Sequence, residues 1–227
     1  MAKKSVLIGV CLTRKDRRFL ESFRKFSDAL TQDYCVATVK VRDKFLPDAQ
    51  NEIVENFLHW NYDYLLLLDD DHWGHTKEMF DCLVNANALM ATVKTYSRHY
   101  PYSCALMKDV NGSYCGIENG EGYQNCDLTG FPMTLLRKEI FTKLSKPYFI
   151  GRIDGLRAWA TDENFCQRLA KEGIKPVGCF QYCLPHDSIT AENVNQRRYK
   201  ERLENNNIAM YHLFNKRNKE NLCMAHQ

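Results

Sequence analysis

The chain has 227 residues, of which 44% are hydrophobic, 12% aromatic and 26% charged, with a formal net charge of +3. That is the make-up of a soluble globular protein with enough apolar matter for one sizeable α/β domain or two small ones. With so small a net charge the chain as a whole does not read as a nucleic-acid binder, and the longest apolar run is too short to span a bilayer.

Residues 5–12, SVLIGVCL, read as a buried parallel-type strand. In DRRFLESFRKFSDALTQ, Phe19, Leu20, Phe23, Phe26 and Leu30 recur at helical spacing. A second strand is predicted over 34–41. A helix is predicted over 48–60, with Asp48 as N-cap and Ala49, Ile53, Val54, Phe57 and Leu58 on one face. A third strand follows over 62–68, a helix capped by Thr76 over 76–87, and a fourth strand over 88–96. This β-α-β-α-β-α-β order is the signature of a mostly parallel sheet with helices on both faces. Asn111-Gly112 then marks a β-hairpin over 104–117. Residues 131–144 read as a strand running into a short helix, 161–173 as a helix from Thr161 to Gly173, and 175–184 as a last strand. A polar helical tail runs from about 190 to 222. With no repeat, low-complexity segment or Pro/Gly linker, one domain carrying a tail is the economical reading.

Ten cysteines are scattered without a CxxC pair. No secretory signal is read at the start, so buried or free thiols in a reducing, cytoplasmic compartment are expected. A zinc site from Cys179, Cys183 and His186 is the sharper alternative, but it lacks a second ligand pair at the right spacing.

The stretch YLLLLDDDHWGH, residues 64–75, ends an apolar strand in three aspartates. Ligands of open α/β sheets bind at the carboxyl ends of the strands. Asp69 and Asp71, two apart, can converge there on one divalent ion, and an all-oxygen pair suits Mg²⁺ or Mn²⁺ while leaving positions open for a diphosphate. The bland alternative is a solvated acidic loop, but Thr76 already supplies the next helix cap. His72 and His75 read as surface or substrate-facing residues. Asp162 lies at the inward edge of a helix N-terminus, where the dipole favours its ionised form, and it can accept a proton from a hydroxyl nucleophile. Glu163 is the alternative base, although acids are common in any first helical turn. His186, after Pro185 and the last strand, can complete a metal site beside the two carboxylates.

Taken in order, VLIGVCLTR, DAQNEIVENFL, YDYLLLLDDD, TYSRHYPYSCALMKD, CDLTGFPMTLLRKEIFTKLSKPYF, TDENFCQRLAKEGIKPV and PHDS resemble the successive motifs of GT-A-type glycosyltransferases of the family 2-like group, notably short phage and viral forms. The resemblance runs from about residue 5 to 187. It implies a GT-A-type, Rossmann-like three-layer α/β/α sandwich with a mostly parallel central sheet and a C-terminal helical tail. A nucleotide-sugar-binding catalytic domain would occupy 1–187 and a helical extension 188–227. The implied activity is metal-dependent transfer of a sugar from a UDP- or GDP-linked donor to an acceptor hydroxyl, with Mn²⁺ or Mg²⁺ as cofactor. By residue, it implies Asp71 as direct metal ligand, Asp69 on the ribose or on the metal through water, His186 as a further ligand and Asp162 as base. Thr13, Gln50 and Asn51 would lie near the nucleotide. Asp70 is grouped with these donor-contacting residues, yet its position varies in the resembling chains, so it is expected to tolerate replacement best of the three aspartates. Thr161, Gln50 and Cys11 depart from the residues usual at their positions, which bears on nucleotide identity more than on fold.

A single carboxylate base points to inversion at the anomeric carbon. The acceptor, whether glycan, protein or nucleobase hydroxyl, is not readable. The amphipathic tail suits a homo-oligomer contact, and a viral chain would work in the host cytoplasm. Trp73, Trp159 and Tyr123 are candidate sugar-stacking platforms. Three other readings are weighed: a metal-dependent nucleotidyltransferase, which fits poorly because LTRKDRRFL has no glycines; a non-catalytic module that keeps the fold; and a nucleic-acid protein built around the basic tail (Arg197, Arg198, Lys200, Arg202), where interleaved Glu201 and Glu204 favour an ordinary solvated helix.

Overall fold

The computed structural model describes residues 3–13, 16–99, 102–154, 157–159, 161–190, 192–195, 197–198, 200–201 and 204, with no side-chain description over 152–160. A seven-stranded sheet forms the middle layer, in the order β2-β1-β3-β9-β4-β12-β7. These strands are β1 (Ser5–Leu12), β2 (Cys35–Arg42), β3 (Tyr64–Asp69), β4 (Met90–Thr95), β7 (Tyr123–Asn125), β9 (Met133–Arg137) and β12 (Val177–Leu184). β1 pairs in parallel with β2 and β3, and β12 with β4, whereas β9 runs antiparallel between β3 and β4 and β7 antiparallel at the edge. The expected three-layer α/β/α architecture with a mostly parallel sheet is therefore present.

β1 and β3 are continuous apolar runs because both of their faces are covered. Val6, Ile8, Val10, Leu66 and Leu68 enter one core with Phe19, Phe23 and Phe26 of α1 (Arg17–Leu30) and with Met79, Phe80 and Leu83 of α3 (Lys77–Asn85). Leu7, Leu65 and Leu67 enter the other with Ile53, Val54 and Phe57 of α2 (Leu46–Trp60), and with residues of α4 (Glu139–Lys143) and α5 (Thr161–Lys171). Each fully buried side chain of this size contributes about 1.5–3 kcal/mol. Gly9 is what lets α2 come this close: a Cβ there would sit 2.3 Å from Ile53 Cγ2.

Several local expectations change. α2 begins at Leu46 behind Phe45, with Pro47 in its first turn, so Asp48 lies inside the helix rather than at its N-cap. Proline fits there because the first helical N–H groups have no partner within the helix. Leu20 is 42% exposed and lies off the buried face of α1, whose N-cap Asp16 accepts from Arg18 N and Phe19 N. Thr76 caps α3 as expected, accepting from Met79 N at 3.3 Å.

The hairpin of β5 (Leu106–Val110) and β6 (Ser113–Gly116) turns at Asn111 and Gly112, both at positive φ. With β8 (Leu128–Thr129) these strands form a small separate sheet, and β10 (Arg152–Asp154) pairs with β11 (Arg157–Trp159). The expectation of buried or free thiols fails for one pair: Cys82 of α3 and Cys179 of β12 form a disulfide. That removes Cys179 from the zinc alternative.

Most of the predicted tail lies outside the described residues. Its described start packs back on the small-sheet side, with Val194 buried beside Tyr102 and Cys104 and with Arg198 paired to Glu118 at 2.9 Å. Among the described residues no helix is long and apolar enough to cross a membrane.

Candidate metal centre and active site

The carboxyl ends of β1, β3, β4 and β12 lie along one edge of the sheet and bring Thr13, Asp69–Asp71, Tyr96 and His186 together. β3 ends at Asp69, still paired with Cys11 of β1. Beyond it the next two side chains diverge.

Asp70 turns back toward β1. Its carboxylate accepts the Thr13 backbone N–H at 2.6 Å and the Thr13 hydroxyl at 2.9 Å, and the residue is 4% exposed. The expectation that Asp70 is the most replaceable aspartate is thereby corrected, because it fastens the loop after β1 to the loop after β3.

Asp71 turns toward the loop after β12. Its Oδ2 lies 3.1 Å from His186 Nε2 and 3.2 Å from Arg98 Nη1, and its Oδ1 lies 2.9 Å from His72 Nδ1. Burial alone would raise this carboxyl, but the contacts with His186 and His72 outweigh it and hold Asp71 well below the usual carboxylate range. The two loops are also joined through the backbone, Asp187 N–H donating to the Asp71 carbonyl at 2.9 Å.

His186 Nδ1 lies 2.9 Å from the carbonyl oxygen of Tyr96. A carbonyl only accepts, so the ring proton belongs on Nδ1, and in the neutral ring Nε2 faces Asp71 with a lone pair. Two acceptors at 3.1 Å repel each other unless a proton or a cation sits between them.

His72 and His75 are not at the surface, which corrects the surface part of that expectation for both. His72 is 3% exposed and stacks on the His186 ring, with centroids 4.2 Å apart. His75 packs edge-on to Phe19, with Nδ1 3.2 Å from the Ser22 hydroxyl, and burial pushes it down to about 3. His75 is therefore a neutral core residue.

One ligand atom each from Asp71, His72 and His186 lie within 4.8 Å of one another. One carboxylate oxygen and two imidazole nitrogens are a chemically sound donor set for a divalent ion. Asp69, expected as a second acidic ligand, lies outside this group. Burial raises its carboxyl well above the ordinary value, and the neighbouring charges of Asp71, Asp162 and Asp70 raise it further.

Asp162, in the first turn of α5, is also raised. Burial is the main cause, and the Glu163 N–H, 3.0 Å from Oδ1, offsets only part of it. Burial thus outweighs the helix terminus expected to favour the charged form. Gly130 flanks this carboxyl; a Cβ there would stand 3.8 Å from Asp162 Oδ2. Glu163 instead accepts from Gln167 Nε2, one turn along the helix.

The candidate nucleotide residues separate. Thr13 is exposed at the strand-end edge. Gln50 is 2% exposed, and its Oε1 has no hydrogen-bond partner among the described residues. Asn51 is engaged elsewhere: its amide donates to the Phe149 carbonyl at 2.8 Å and accepts the Phe149 N–H at 2.9 Å. Among the candidate stacking residues, Trp73 donates Nε1–H to the Asp187 carbonyl at 2.9 Å beside the site. Tyr123 is tied by its hydroxyl to the Cys82 carbonyl, and the Trp159 side chain lies outside the described residues. Sequence reasoning missed His72 as a site residue, together with Arg98 and the Tyr96 carbonyl; only the i, i+3 spacing of His72 and His75 signalled the first.

No protein-family model matches the chain, and no curated protein matches its sequence. Among solved structures, A197 from STIV matches with a TM-score of 0.54 at 14% identity, covering 80% of this chain and 85% of that one. An apo UDP-glucose pyrophosphorylase gives a TM-score of 0.44 at 13% identity, covering 87% and 82%. A glycosyltransferase involved in the glycosylation of the major capsid of PBCV-1 gives 0.44 at 8% identity, covering 86% and 99%. The likeness to A197 is one of fold.

Proposed function

We propose that this chain is a metal-dependent glycosyltransferase that moves a sugar from a UDP- or GDP-linked donor to an acceptor hydroxyl. The observation that carries the reading is a donor set for a divalent ion, Asp71 with His186, at the carboxyl ends of parallel strands, with the partly buried Asp69 close enough to Asp162 for its carboxyl to be raised by that charge. The motif order from residue 5 to 187 supports the same assignment, with 188–227 as a helical extension. A divalent ion bound there would neutralise charge developing on a leaving diphosphate. Asp71 and His186 would hold that ion, and Asp69 would contact the ribose or the ion through water. Thr13, held by Asp70, would line the nucleotide side with Gln50. Asp162 would accept the proton of the attacking hydroxyl, its raised value bringing it nearer the operating pH of a general base. A single base favours inversion at the anomeric carbon.

The test is a panel of UDP and GDP sugars with Mn²⁺, scored for donor hydrolysis and thermal shift. Metal-dependent hydrolysis of one donor, lost in Asp71→Ala, is expected. Asp162→Asn should keep donor binding and lose transfer. Failure of every nucleotide sugar to bind in the presence of metal overturns the reading, and a product of retained configuration overturns its inverting form.

A further inference from the structure

We propose that His72 is a third protein ligand of the metal centre, and that the centre therefore selects a first-row transition ion such as Mn²⁺, Fe²⁺, Co²⁺ or Zn²⁺ over Mg²⁺. The inference rests on the reading of Asp71 and His186 as a metal centre.

Two independent observations carry it. First, His72 is 3% exposed, yet neither of its ring nitrogens makes a directed hydrogen bond among the described residues. Its Nδ1 faces the Asp71 carboxylate, 2.9 Å from Oδ1. A buried polar group without a directed hydrogen bond costs about 1–3 kcal/mol, and a cation shared between this ring and Asp71 would relieve it. Second, the ring of His186 lies nearly parallel to that of His72, and its Nδ1 is committed to the Tyr96 carbonyl. That leaves Nε2 on the Asp71 side as the coordinating atom. Arg98 Nη1 reaches the same Asp71 Oδ2 at 3.2 Å, which shows that the spot attracts a cation.

The donor set decides which ion. Mg²⁺ requires oxygen ligands in a near-ideal octahedron and keeps its waters, whereas imidazole suits the later first-row ions. The pair of aspartates read from the sequence suits Mg²⁺ or Mn²⁺ alike. Replacing Asp69 by His72 in the set tips it away from Mg²⁺.

The experiment uses the full chain, stripped of metal and loaded with Mn²⁺, and pulsed EPR for nitrogen couplings. Two imidazole couplings are expected, and one or none overturns the proposal. Mn²⁺ should survive about a hundredfold excess of Mg²⁺; displacement by Mg²⁺ at matching concentration overturns the proposal. His72→Ala should leave one coupling and weaken Mn²⁺ binding by about tenfold or more. Because that variant loses a buried ring and risks unfolding, the wild-type spectrum decides by itself. Two couplings in a protein that binds no nucleotide sugar would support the ligand set and defeat the transferase reading. Sugar transfer with a single coupling would do the reverse.

Discussion

Asp70 holds Thr13 through both its backbone N–H, at 2.6 Å, and its hydroxyl, at 2.9 Å. The contact joins the ends of β1 and β3, and thus sets the loop that would face a nucleotide. Hydrogen bonds to a charged group contribute about 1.5–3 kcal/mol each, and those to a neutral one about 1 kcal/mol. Asp70→Ala should therefore lower stability by about 3 kcal/mol in urea melts and weaken donor-induced thermal shift. Thr13→Ala keeps the backbone bond and should cost about half as much, about 1.5 kcal/mol. Equal effects of the two variants would show that the backbone contact contributes nothing.

Asp69 is the acid whose ionisation the fold opposes most clearly, first through burial and then through Asp71, Asp162 and Asp70. Its folded value lies above the ordinary 3.8. Between those two values the native state binds more protons than the unfolded chain, so stability falls as pH rises across that window, and the penalty persists above it. Asp69→Asn removes the charge and keeps the shape. It should stabilise the metal-free protein at neutral pH by about 1 kcal/mol, which is a few degrees in melting temperature. At a pH below the ordinary carboxylate range the gain should vanish. A melting temperature unchanged at neutral pH would mean that Asp69 is not desolvated.

The main strands were readable because a strand covered on both faces must be apolar throughout, as in Leu65–Leu68. The direction of β9 was not, since Met133–Arg137 looks the same whether it pairs parallel or antiparallel with β3. Three-residue β7 carries no periodicity to detect. The site divides in the same way. Asp71 could be located because a charge at the end of a buried run is costly without a purpose. The role of His72 could not, since its burial depends on the His186 ring, which comes from a loop 115 residues beyond Asp71. The Cys82–Cys179 pairing likewise joins positions 97 apart that no local pattern links.

As the proposed base, Asp162 would set a pH dependence. A general base works only when ionised, and burial raises this carboxyl above the ordinary 3.8. Transfer should therefore fall as pH drops through the raised value, with the acid limb of the kcat/KM profile lying above the ordinary aspartate range. Asp162→Glu should shift that limb, whereas Glu163→Gln should leave it in place, because Glu163 is turned to Gln167. An acid limb that moves only in Glu163→Gln would transfer the role of base to Glu163.

On the metal-centre reading, Arg98 and the ion compete for Asp71. Its Nη1 sits 3.2 Å from Asp71 Oδ2 and 3.6 Å from Asp187 Oδ2, so a divalent ion that takes Asp71 must displace the guanidinium. The arginine side chain is 38% exposed, and solvent screening limits such a pair to about 1 kcal/mol or less. Arg98→Ala should therefore tighten Mn²⁺ binding by at most about fivefold. On the transferase reading, the released guanidinium would stand near a metal-bound donor diphosphate, where a second positive charge favours the phosphate oxygens. The same substitution should then raise the donor KM while the metal dissociation constant falls. Titration of Mn²⁺ into both proteins by calorimetry, followed by donor saturation at full metal occupancy, separates the two effects. A weaker metal site in Arg98→Ala would show that the arginine orients Asp71 for the ion rather than competing with it.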